Sequence, residues 1–469
     1  MNNQMKKKTD ILFIIPPYHK RNGSGSLFPL GISSIIAYLE QRNYTYEYID
    51  CTRLITSLND DDLLLLDEKL KQEFSKLDPR LVGIGPCVTP GAKGLITIAN
   101  CCISVFGKDI VFAGGPFATL PSQEWFFYEY LGLKYLIKGD GEEAICNSIE
   151  IIKNGGRLSN CSNVSTIGSP FMNINKKSLD ELPFPKRIQI EENTFSERRK
   201  LHTSGLTAHI VASRGCPYSC SYCVSGNIKI PFRKRSAMSI AAEMEYLSEN
   251  YGIKDIVFYD DCFFTSPVTV HKEIRDFCSI LKDKKLNMTW QIEVRPDIIV
   301  KLTEEELVLL SDSGCRQMNI GVEKTYDTGA SMFGKRFNYD ELRNCLAHIH
   351  QTCQIKLTGT FILGGKGETK DTIEKLILAS ANMNLDQAEY SPLFVYPDTP
   401  IYKDMFSNPK EWFDVIMSSK DSLGEVIYED DLLDKDTLLS LVNEAYCFFY
   451  KGTRYSASDR ITDRYNLKG

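Results

Sequence analysis

Residues 215–223 read GCPYSCSYC and bring three cysteines, Cys216, Cys220 and Cys223, onto one short loop. Protein iron–sulfur clusters are normally held by four cysteine thiolates, so three thiolates leave one iron of a cubane open. Catalytic zinc sites with three protein ligands likewise bind water at the open position. The CxxxCxxC spacing therefore predicts a four-iron cluster whose fourth iron binds an external ligand.

Apolar runs alternate with amphipathic segments around and beyond this loop. Ala237, Ile240, Ala241, Met244 and Leu247 keep the spacing of a helix that rests one face on a sheet. Six runs are typical of strands: residues 207–211, 255–259, 287–294, 316–321, 356–363 and 388–395. Strands that alternate with helices predict a parallel sheet, with active groups at the carboxyl ends of its strands.

Polar residues and glycines follow these predicted strands, as a binding edge requires. The candidates are Asp260, Asp261, Arg295, Glu323, Gly364 and Gly365. Glycine lets the backbone approach a ligand closely, and an arginine fork suits a ligand carboxylate. Each charged candidate also has a structural alternative, because an aspartate can cap a helix and the arginine can form an ion pair near Glu293.

The first part of the chain shows the same alternation. Its candidate strands are residues 11–15, 44–49, 81–84, 110–113 and 135–137. All but the second are followed by proline or glycine, which lets a ligand approach the carboxyl edge of an open sheet. We therefore predict an α/β chain whose first domain is Rossmann-like and binds a cofactor.

The cysteine run and the later motifs resemble those of radical S-adenosylmethionine (radical SAM) enzymes. The similar stretches are residues 321–323 (GVE), 361–369 (FILGGKGET) and 396–402 (YPDTPIY). The chain departs from the family at Lys324, where serine is usual, and at Asp398, where glycine is usual. The resemblance implies a partial (β/α)6 barrel, a 4Fe-4S cluster on the three cysteines, and SAM bound by the six strand-end candidates.

Residues 8–150 resemble the cobalamin-binding domain that precedes the radical SAM domain in one large subgroup. The resemblance lies in residues 16–17 (PP), 29–31 (PLG), 114–116 (GGP) and 139–143 (GDGEE). The DxHxxG motif that supplies a cobalt ligand in classical cobalamin enzymes is absent, so His19 is expected at the surface. The resemblance implies that cobalamin contacts Cys87, Val88, Gly114, Gly115, Gly139, Gly141 and Glu142.

The length of 469 residues exceeds what one core usually organises. We expect a cobalamin-binding domain over residues 1–155, a linker over 156–204, the partial barrel over 205–402 and a mainly helical C-terminal segment over 403–469. The aromatic run at 446–450 (YCFFY) is expected in a helix packed over the barrel mouth, or as a stripe that lines the substrate site.

The resemblance implies methylation of an unactivated carbon, in which a 5′-deoxyadenosyl radical abstracts a hydrogen and methylcobalamin delivers the methyl group. The alternative is a cobalamin-dependent cyclase or rearrangement enzyme without net methyl transfer. A methylthiotransferase acting on transfer RNA would need a second cluster motif, which Cys51, Cys87, Cys101 and Cys102 do not show. A sensor with a structural cluster is disfavoured by the SAM-binding positions.

Composition sets the expected partners and compartment. A net charge of -6 gives no general attraction to nucleic acid, and the sequence has no apolar run of about 18 residues that could span a bilayer. Fifteen cysteines without a paired framework indicate reduced thiols and a cytoplasmic protein. We expect a small-molecule or peptide substrate and a low-potential electron donor such as flavodoxin or ferredoxin.

Overall fold

The computed structural model describes residues 6–17, 29–88, 91–174, 178–188, 206–228, 230–325, 333–418 and 426–450. The chain separates into two compact units, residues 1–195 with 403–426 and residues 196–402 with 427–469. Each unit is built on a six-stranded sheet. Among the described residues, no helix combines the length and the apolar character that spanning a membrane requires.

The sheet of the first unit is wholly parallel. Its strands are β1 (Lys7–Ile15), β2 (Tyr46–Asp50), β3 (Leu77–Ile84), β4 (Val111–Gly114), β5 (Tyr135–Gly139) and β6 (Met172–Asn173), in the spatial order β2-β1-β3-β4-β5-β6. Its helices are α1 (Leu30–Glu40), α2 (Asp60–Phe74), α3 (Ala92–Phe106), α4 (Pro116–Thr119) and α5 (Glu142–Lys153). The central β1 is buried along residues 9–15, as expected for a parallel strand with both faces covered.

The second unit carries the parallel partial barrel that the sequence predicts. Its strands are β7 (Leu206–Ile210), β8 (Ser213–Arg214), β9 (Arg233–Lys234), β10 (Ile253–Phe258), β11 (Thr289–Val294), β12 (Cys315–Glu323), β13 (Lys356–Leu363) and β14 (Gln387–Pro392). The sheet order is β14-β13-β12-β11-β10-β7, while β8 and β9 form a separate antiparallel hairpin. Its helices include α6 (Ala237–Tyr251), α7 (Val270–Asp283), α8 (Pro296–Ile299), α9 (Glu304–Asp312), α10 (Tyr339–Thr352) and α11 (Lys370–Ala381). The α/β fold class is confirmed.

Local sequence signals set the ends of several helices. The Asn59 side chain caps α2, and Thr303 with Glu306 forms a capping box at α9. Gly252 ends α6 in the left-handed conformation, with φ of 66°. The apolar spacing predicted for α6 is confirmed by its buried face, which includes Ile240, Ala241, Met244 and Leu247.

Every predicted strand is present, although several ends differ. β3 begins at Leu77 because Leu77 and Pro79 face the core between the exposed Asp78 and Arg80. Sequence reading missed β6 and the β8–β9 hairpin, since two-residue strands carry no periodic pattern.

The structure divides the predicted linker and C-terminal segment differently. Within residues 156–204, β6 pairs with β5 and extends the first sheet. Residues 403–426, which begin within α12 (Pro400–Met405), belong to the first unit and include α13 (Pro409–Ser418). Trp412 of α13 is 1% exposed, and its ring centroid lies 6.3 Å from that of Phe117. Aromatic packing thus draws α13 to the first unit.

The last described helix, α14 (Lys435–Tyr450), belongs to the second unit and pairs with the open edge of β14. The Ala388 amide donates to the Tyr450 hydroxyl at 3.0 Å, and this hydroxyl donates to the Ala388 carbonyl at 2.9 Å. The Tyr390 amide donates to the Tyr446 hydroxyl at 3.1 Å. The helix expected over the barrel mouth therefore satisfies a strand edge that would otherwise be unpaired.

Tyr450→Phe should remove both hydrogen bonds to Ala388 and lower the free energy of unfolding by about 1–3 kcal/mol, the usual cost of unpaired buried groups. Urea unfolding measures this loss, and hydrogen exchange should be faster at the Ala388 amide. Phe448→Leu, at an exposed position of the same helix, is the control and should change neither result. Unchanged exchange at Ala388 in Tyr450→Phe would contradict this account of the edge.

Candidate active site

The predicted cluster ligands lie on the loop between β8 and β9. Cys216 and Cys223 are partly exposed, Cys220 is buried, and none forms a disulfide. Burial, together with the charges of Asp261, Cys223 and Cys220, raises the pKa of Cys216 to about 11. These mutual effects show that the three thiols share one neighbourhood.

Tight backbone packing shapes this loop. Gly215 has a φ of 76°, and a Cβ there would meet a backbone carbonyl at 2.7 Å. A Cβ on Gly226 would overlap another backbone carbonyl. The side-chain Nδ2 of Asn227 donates to the carbonyls of Cys220 and Cys223, at 3.0 and 2.6 Å. Close backbone packing and the Asn227 side chain therefore hold the loop in shape.

The donor set fits a four-iron cluster. The described residues contain no group of three or more His, Cys, Asp or Glu arranged around one metal ion. A cubane does not need such a group, because each thiolate binds a different iron. Arg295 Nη1 lies 3.7 Å from Cys220 Sγ and places a positive charge beside a ligand thiol. A further buried thiol near Cys216, which sequence reading missed, is Cys262, but it donates to the Phe264 carbonyl at 2.8 Å.

The two aspartates after β10 have different surroundings. Asp260 is buried and accepts from the Ala212 amide at 3.0 Å and from the Ser213 hydroxyl, which ties β10 to the cluster hairpin. Asp261 is exposed, accepts from Ser225 Oγ at 3.1 Å and raises the pKa of the cluster-loop thiols. Asp260 thus anchors the hairpin, while Asp261 lies beside the cysteines.

Arg295 is engaged by a carboxylate two residues ahead of it. Its Nε and Nη2 donate to the Asp297 carboxylate at 2.9 and 3.2 Å, and its guanidinium carbon lies 3.7 Å from the ring centroid of Tyr218. Burial alone would lower the pKa of Arg295, but Asp297 raises it above its usual range. The structure therefore shows the ion-pair alternative for this arginine, with Asp297 as the partner.

Glu323 is fixed at the end of β12 by two side chains that sequence reading missed. Its Oε1 accepts from Lys335 Nζ at 2.8 Å and from the Tyr222 hydroxyl at 3.0 Å. Glu323 has a φ of 64°, which is uncommon for a residue with a side chain and is often found at functional sites. Because Tyr222 belongs to the cluster loop, this carboxylate connects that loop to β12.

The glycines after β13 form one buried unit with Lys324. Gly364 and Gly365 have φ values of 92° and 140°, which favour glycine. Lys324 is fully buried, and its Nζ donates to the Gly364 carbonyl at 3.2 Å and to Glu368 Oε2 at 2.7 Å. Burial lowers the pKa of Lys324, and Glu368 opposes this effect. The lysine that departs from the family motif therefore holds the glycine turn.

A further carboxylate, the half-buried Glu293, lies on β11 before these strand ends. Glu293 Oε1 accepts from Asn319 Nδ2 at 2.8 Å. Burial raises the pKa of Glu293 to about 7, the hydrogen bond from Asn319 opposes this shift, and the charges of Glu389 and Glu323 add to it. Folding therefore favours the protonated form of this carboxyl.

In the first unit, residues predicted to contact cobalamin meet at the carboxyl edge of the sheet. The Cys87 amide donates to the Gly114 carbonyl at 2.8 Å, and the Cys87 carbonyl accepts from the Phe117 amide at 2.9 Å. The Gly139 amide donates to Thr119 Oγ1 at 3.3 Å. The segments after β3, β4 and β5 are thus joined side by side.

Close packing accounts for several of these residues. A Cβ on Gly115 would meet the Cys87 amide at 2.7 Å, and one on Gly141 would meet the Ile35 side chain at 2.8 Å. Glu142 is buried in the first turn of α5 and accepts from Ser34 Oγ at 2.9 Å.

The two side chains that follow β3, Cys87 and Val88, are apolar or only weakly polar. The Cys87 thiol is buried and donates to the Ile84 carbonyl at 3.4 Å, and burial raises its pKa to about 12. Val88 follows it and is half-buried. His19, considered as a cobalt ligand, lies outside the described residues.

Residues 210–379 match the family model of the Radical SAM superfamily. These residues form a radical SAM domain. The match begins at the end of β7 and includes the cysteine loop, Asp260, Arg295, Glu323 and the glycine turn.

Relatives and a solved structure extend the similarity over most of the chain. An uncharacterized methyltransferase of Pyrococcus horikoshii is 23% identical over 415 residues, covering 86% of this chain and 84% of the relative. An anaerobic magnesium-protoporphyrin IX monomethyl ester cyclase of Rubrivivax gelatinosus is 21% identical over 448 residues, covering 94% and 77%. The radical SAM methyltransferase TsrM from Kitasatospora setae, solved with cobalamin and a 4Fe-4S cluster bound, matches with a TM-score of 0.64 at 20% identity, covering 85% and 77%. The chain thus has the fold of a cobalamin-binding radical SAM enzyme.

Lys324→Met should leave Glu368 buried without its cation and lower the free energy of unfolding by about 3–5 kcal/mol, as is usual when one partner of a buried pair is removed. The double variant Lys324→Met/Glu368→Leu should recover most of this loss, because no charge then stays buried. Urea unfolding of the parent, both single variants and the double variant measures the coupling. A double variant less stable than Lys324→Met would show that the pair does not act as described.

Glu293→Gln should stabilise the radical SAM domain most at alkaline pH. The pKa of about 7 in the folded protein lies above that of an unfolded glutamate, so ionisation opposes folding. This cost is absent below the unfolded pKa, grows between the two values and is complete above the folded one. The gain in unfolding free energy should be larger at about pH 8 than at about pH 5, by about 1–2 kcal/mol.

The control for this measurement is Glu305→Gln, at an exposed position of α9, which should show no comparable pH dependence. A gain for Glu293→Gln that stayed constant between the two pH values would contradict the raised pKa.

Proposed function

We propose that the chain is a cobalamin-dependent radical SAM methyltransferase that methylates an unactivated carbon. The observation that carries this proposal is the loop of Cys216, Cys220 and Cys223 with Arg295 beside Cys220, in a chain with the fold of a cobalamin-bound methyltransferase. When bound, the cluster and SAM supply a 5′-deoxyadenosyl radical, and cobalamin supplies a methyl group.

The strand ends of the second unit are the proposed SAM site. Asp261 and Glu323 offer carboxylate oxygens to the ammonium and hydroxyl groups of SAM, and Arg295 offers cationic donors. Tyr222 and Lys335 hold Glu323 in place, while Lys324 holds the Gly364–Gly365 turn against which SAM would lie. Asp260 acts through the hairpin that it anchors.

The carboxyl edge of the first sheet is the proposed cobalamin site. Cys87 and Val88 would contact the lower face, and Gly114, Gly115, Gly139, Gly141 and Glu142 shape the edge around it. The Cys87 thiol is protonated at neutral pH and already donates to a carbonyl, so it is a poor cobalt ligand. These properties support cobalamin binding without a protein ligand on cobalt.

A cyclase or rearrangement enzyme without net methyl transfer is the second candidate. It is favoured by the similarity to the Rubrivivax cyclase, which covers 94% of this chain. Either reaction requires a small-molecule or peptide substrate and a low-potential electron donor such as flavodoxin or ferredoxin. The free thiols suit the reducing conditions of the cytoplasm.

The deciding experiment is product analysis with SAM that carries a trideuterated methyl group. Anaerobically reconstituted, reduced protein with hydroxocobalamin, whose cobalt can take its methyl group only from the labelled SAM, and a metabolite extract should yield a product with the labelled methyl, together with S-adenosylhomocysteine and 5′-deoxyadenosine. Formation of 5′-deoxyadenosine and an unlabelled product without S-adenosylhomocysteine would instead support the cyclase.

Replacing Cys216, Cys220 and Cys223 together by alanine should remove the four irons, the four sulfides and SAM cleavage. Cys447→Ala, at an exposed cysteine of α14, is the matched control and should retain all three. Iron and sulfide are measured on the purified proteins, and SAM cleavage as 5′-deoxyadenosine. A triple variant with full iron content and SAM cleavage would reject the cluster assignment.

A further inference from the structure

The second sheet has one apolar and one polar face. Met318, Ile320 and Val322 alternate along β12 and are fully buried. Gln317 and Asn319 alternate with these apolar residues, so they point to the opposite face, and both are only half-buried. A polar, partly accessible face is unusual for a parallel sheet, whose strands are normally apolar on both sides.

Strand register assembles a continuous polar row on that face, because paired residues of neighbouring strands share a face. Gln291 pairs with Gln317, Glu293 with Asn319, Asn319 with Thr358, and Thr358 with Gln387. The row therefore crosses four strands, from β11 to β14.

Hydrogen bonds run along this row and end at Glu293. Gln317 Nε2 donates to Asn319 Oδ1 at 2.7 Å and to Thr358 Oγ1 at 3.2 Å. Asn319 Nδ2 in turn donates to Glu293 Oε1 at 2.8 Å. Within the described part of the chain, Asn319 is the one hydrogen-bond donor to the Glu293 carboxyl. The row thus fixes this carboxyl without saturating its oxygens.

Gln291, which lies next to Glu293 on the same strand, has a side-chain oxygen that accepts no hydrogen bond from the described residues. Gln291 is two residues earlier on β11, on the same face, and is 9% exposed. Its buried Oε1 has no hydrogen-bond partner among the described residues. A buried polar atom without a partner is costly and calls for an explanation, such as a ligand that is bound during function. Oxygens of Gln291 and Glu293 are therefore available as neighbouring acceptors for a ligand.

The local charge favours a cation over a neutral donor. Burial raises the pKa of Glu293, and the charges of Glu389 and Glu323 raise it further. Lys335 opposes this effect, but its Nζ lies 2.8 Å from Glu323 Oε1. The field at Glu293 is therefore negative, so an anionic ligand group would be repelled there.

We infer that this polar face binds a cationic nitrogen of the substrate, an ammonium or amidinium group, between the Glu293 carboxylate and Gln291 Oε1. The inference rests on the proposed function, which requires a substrate in the radical SAM domain. Such a nitrogen donates several N–H groups to the two acceptor side chains, and its positive charge pairs with the negative charge of ionised Glu293. The substrate is accordingly an amine or amidine.

Binding of a minimal probe tests the inference without turnover. The reconstituted full chain, saturated with S-adenosylhomocysteine, is titrated with n-butylammonium, 1-butanol and butyrate, and binding is followed by saturation-transfer NMR. Only n-butylammonium should bind. Glu293→Gln should weaken its affinity at least about tenfold, a difference of about 1.4 kcal/mol, and Gln291→Leu severalfold. Glu305→Gln, at an exposed position of α9, should leave the affinity unchanged.

Three results would overturn the inference. They are equal binding of 1-butanol or butyrate, unchanged n-butylammonium affinity in folded Glu293→Gln and Gln291→Leu, and binding of n-butylammonium only when S-adenosylhomocysteine is left out, which would assign the carboxyl to the SAM ammonium. Formation of 5′-deoxyadenosine from SAM, measured in the same preparations, tests the proposed radical SAM function independently of amine binding. Cleavage without amine binding rejects this inference alone, whereas amine binding without cleavage supports the site and rejects the proposed chemistry.

Discussion

All strands within each of the two six-stranded sheets run parallel to one another, and this common direction determines where the candidate site residues lie. Parallel strands end at one edge, so residues far apart in the sequence become neighbours there. In the second unit, the cluster loop follows β7, Asp261 follows β10, Arg295 follows β11, Glu323 ends β12 and Gly364 follows β13. Antiparallel pairing would distribute the same residues between opposite edges.

Much of this arrangement could be predicted because apolar strands and the residues that follow them are adjacent in the sequence. Glu323 and Gly364 stand at the end of such a run or directly after it, and Cys216 follows the run at 207–211 by a few residues. The partners that fix them could not be found in this way. Lys335 lies twelve residues after its partner Glu323, outside the strand that carries it. Trp412 packs on Phe117 of the first unit, although the segments before residue 403 and after residue 426 belong to the second. Such contacts depend on tertiary packing, which has no local pattern.

Burial has different consequences for two charged side chains, the fully buried Lys324 and the half-buried Glu293. Lys324 is compensated by Glu368 and a carbonyl, so its burial serves to hold a backbone turn. Glu293 has one amide donor and negative neighbours, so its burial leaves a group whose ionisation opposes folding. A protein can retain such a cost where the group acts in binding, and sites of this kind are commonly less stable than the rest of a fold.

The Tyr446 and Tyr450 hydroxyls that pair with β14 also bear on how the chain folds during synthesis. The residues of α14 are made after both sheets and after α13, which belongs to the other unit. The Ala388 and Tyr390 backbone groups cannot form their hydrogen bonds to Tyr450 and Tyr446 until α14 has left the ribosome. In that interval β14 is an open strand edge, the kind of surface through which nascent chains associate with one another. Early termination of translation before α14 would thus yield a nearly complete domain that is prone to aggregate through this strand edge.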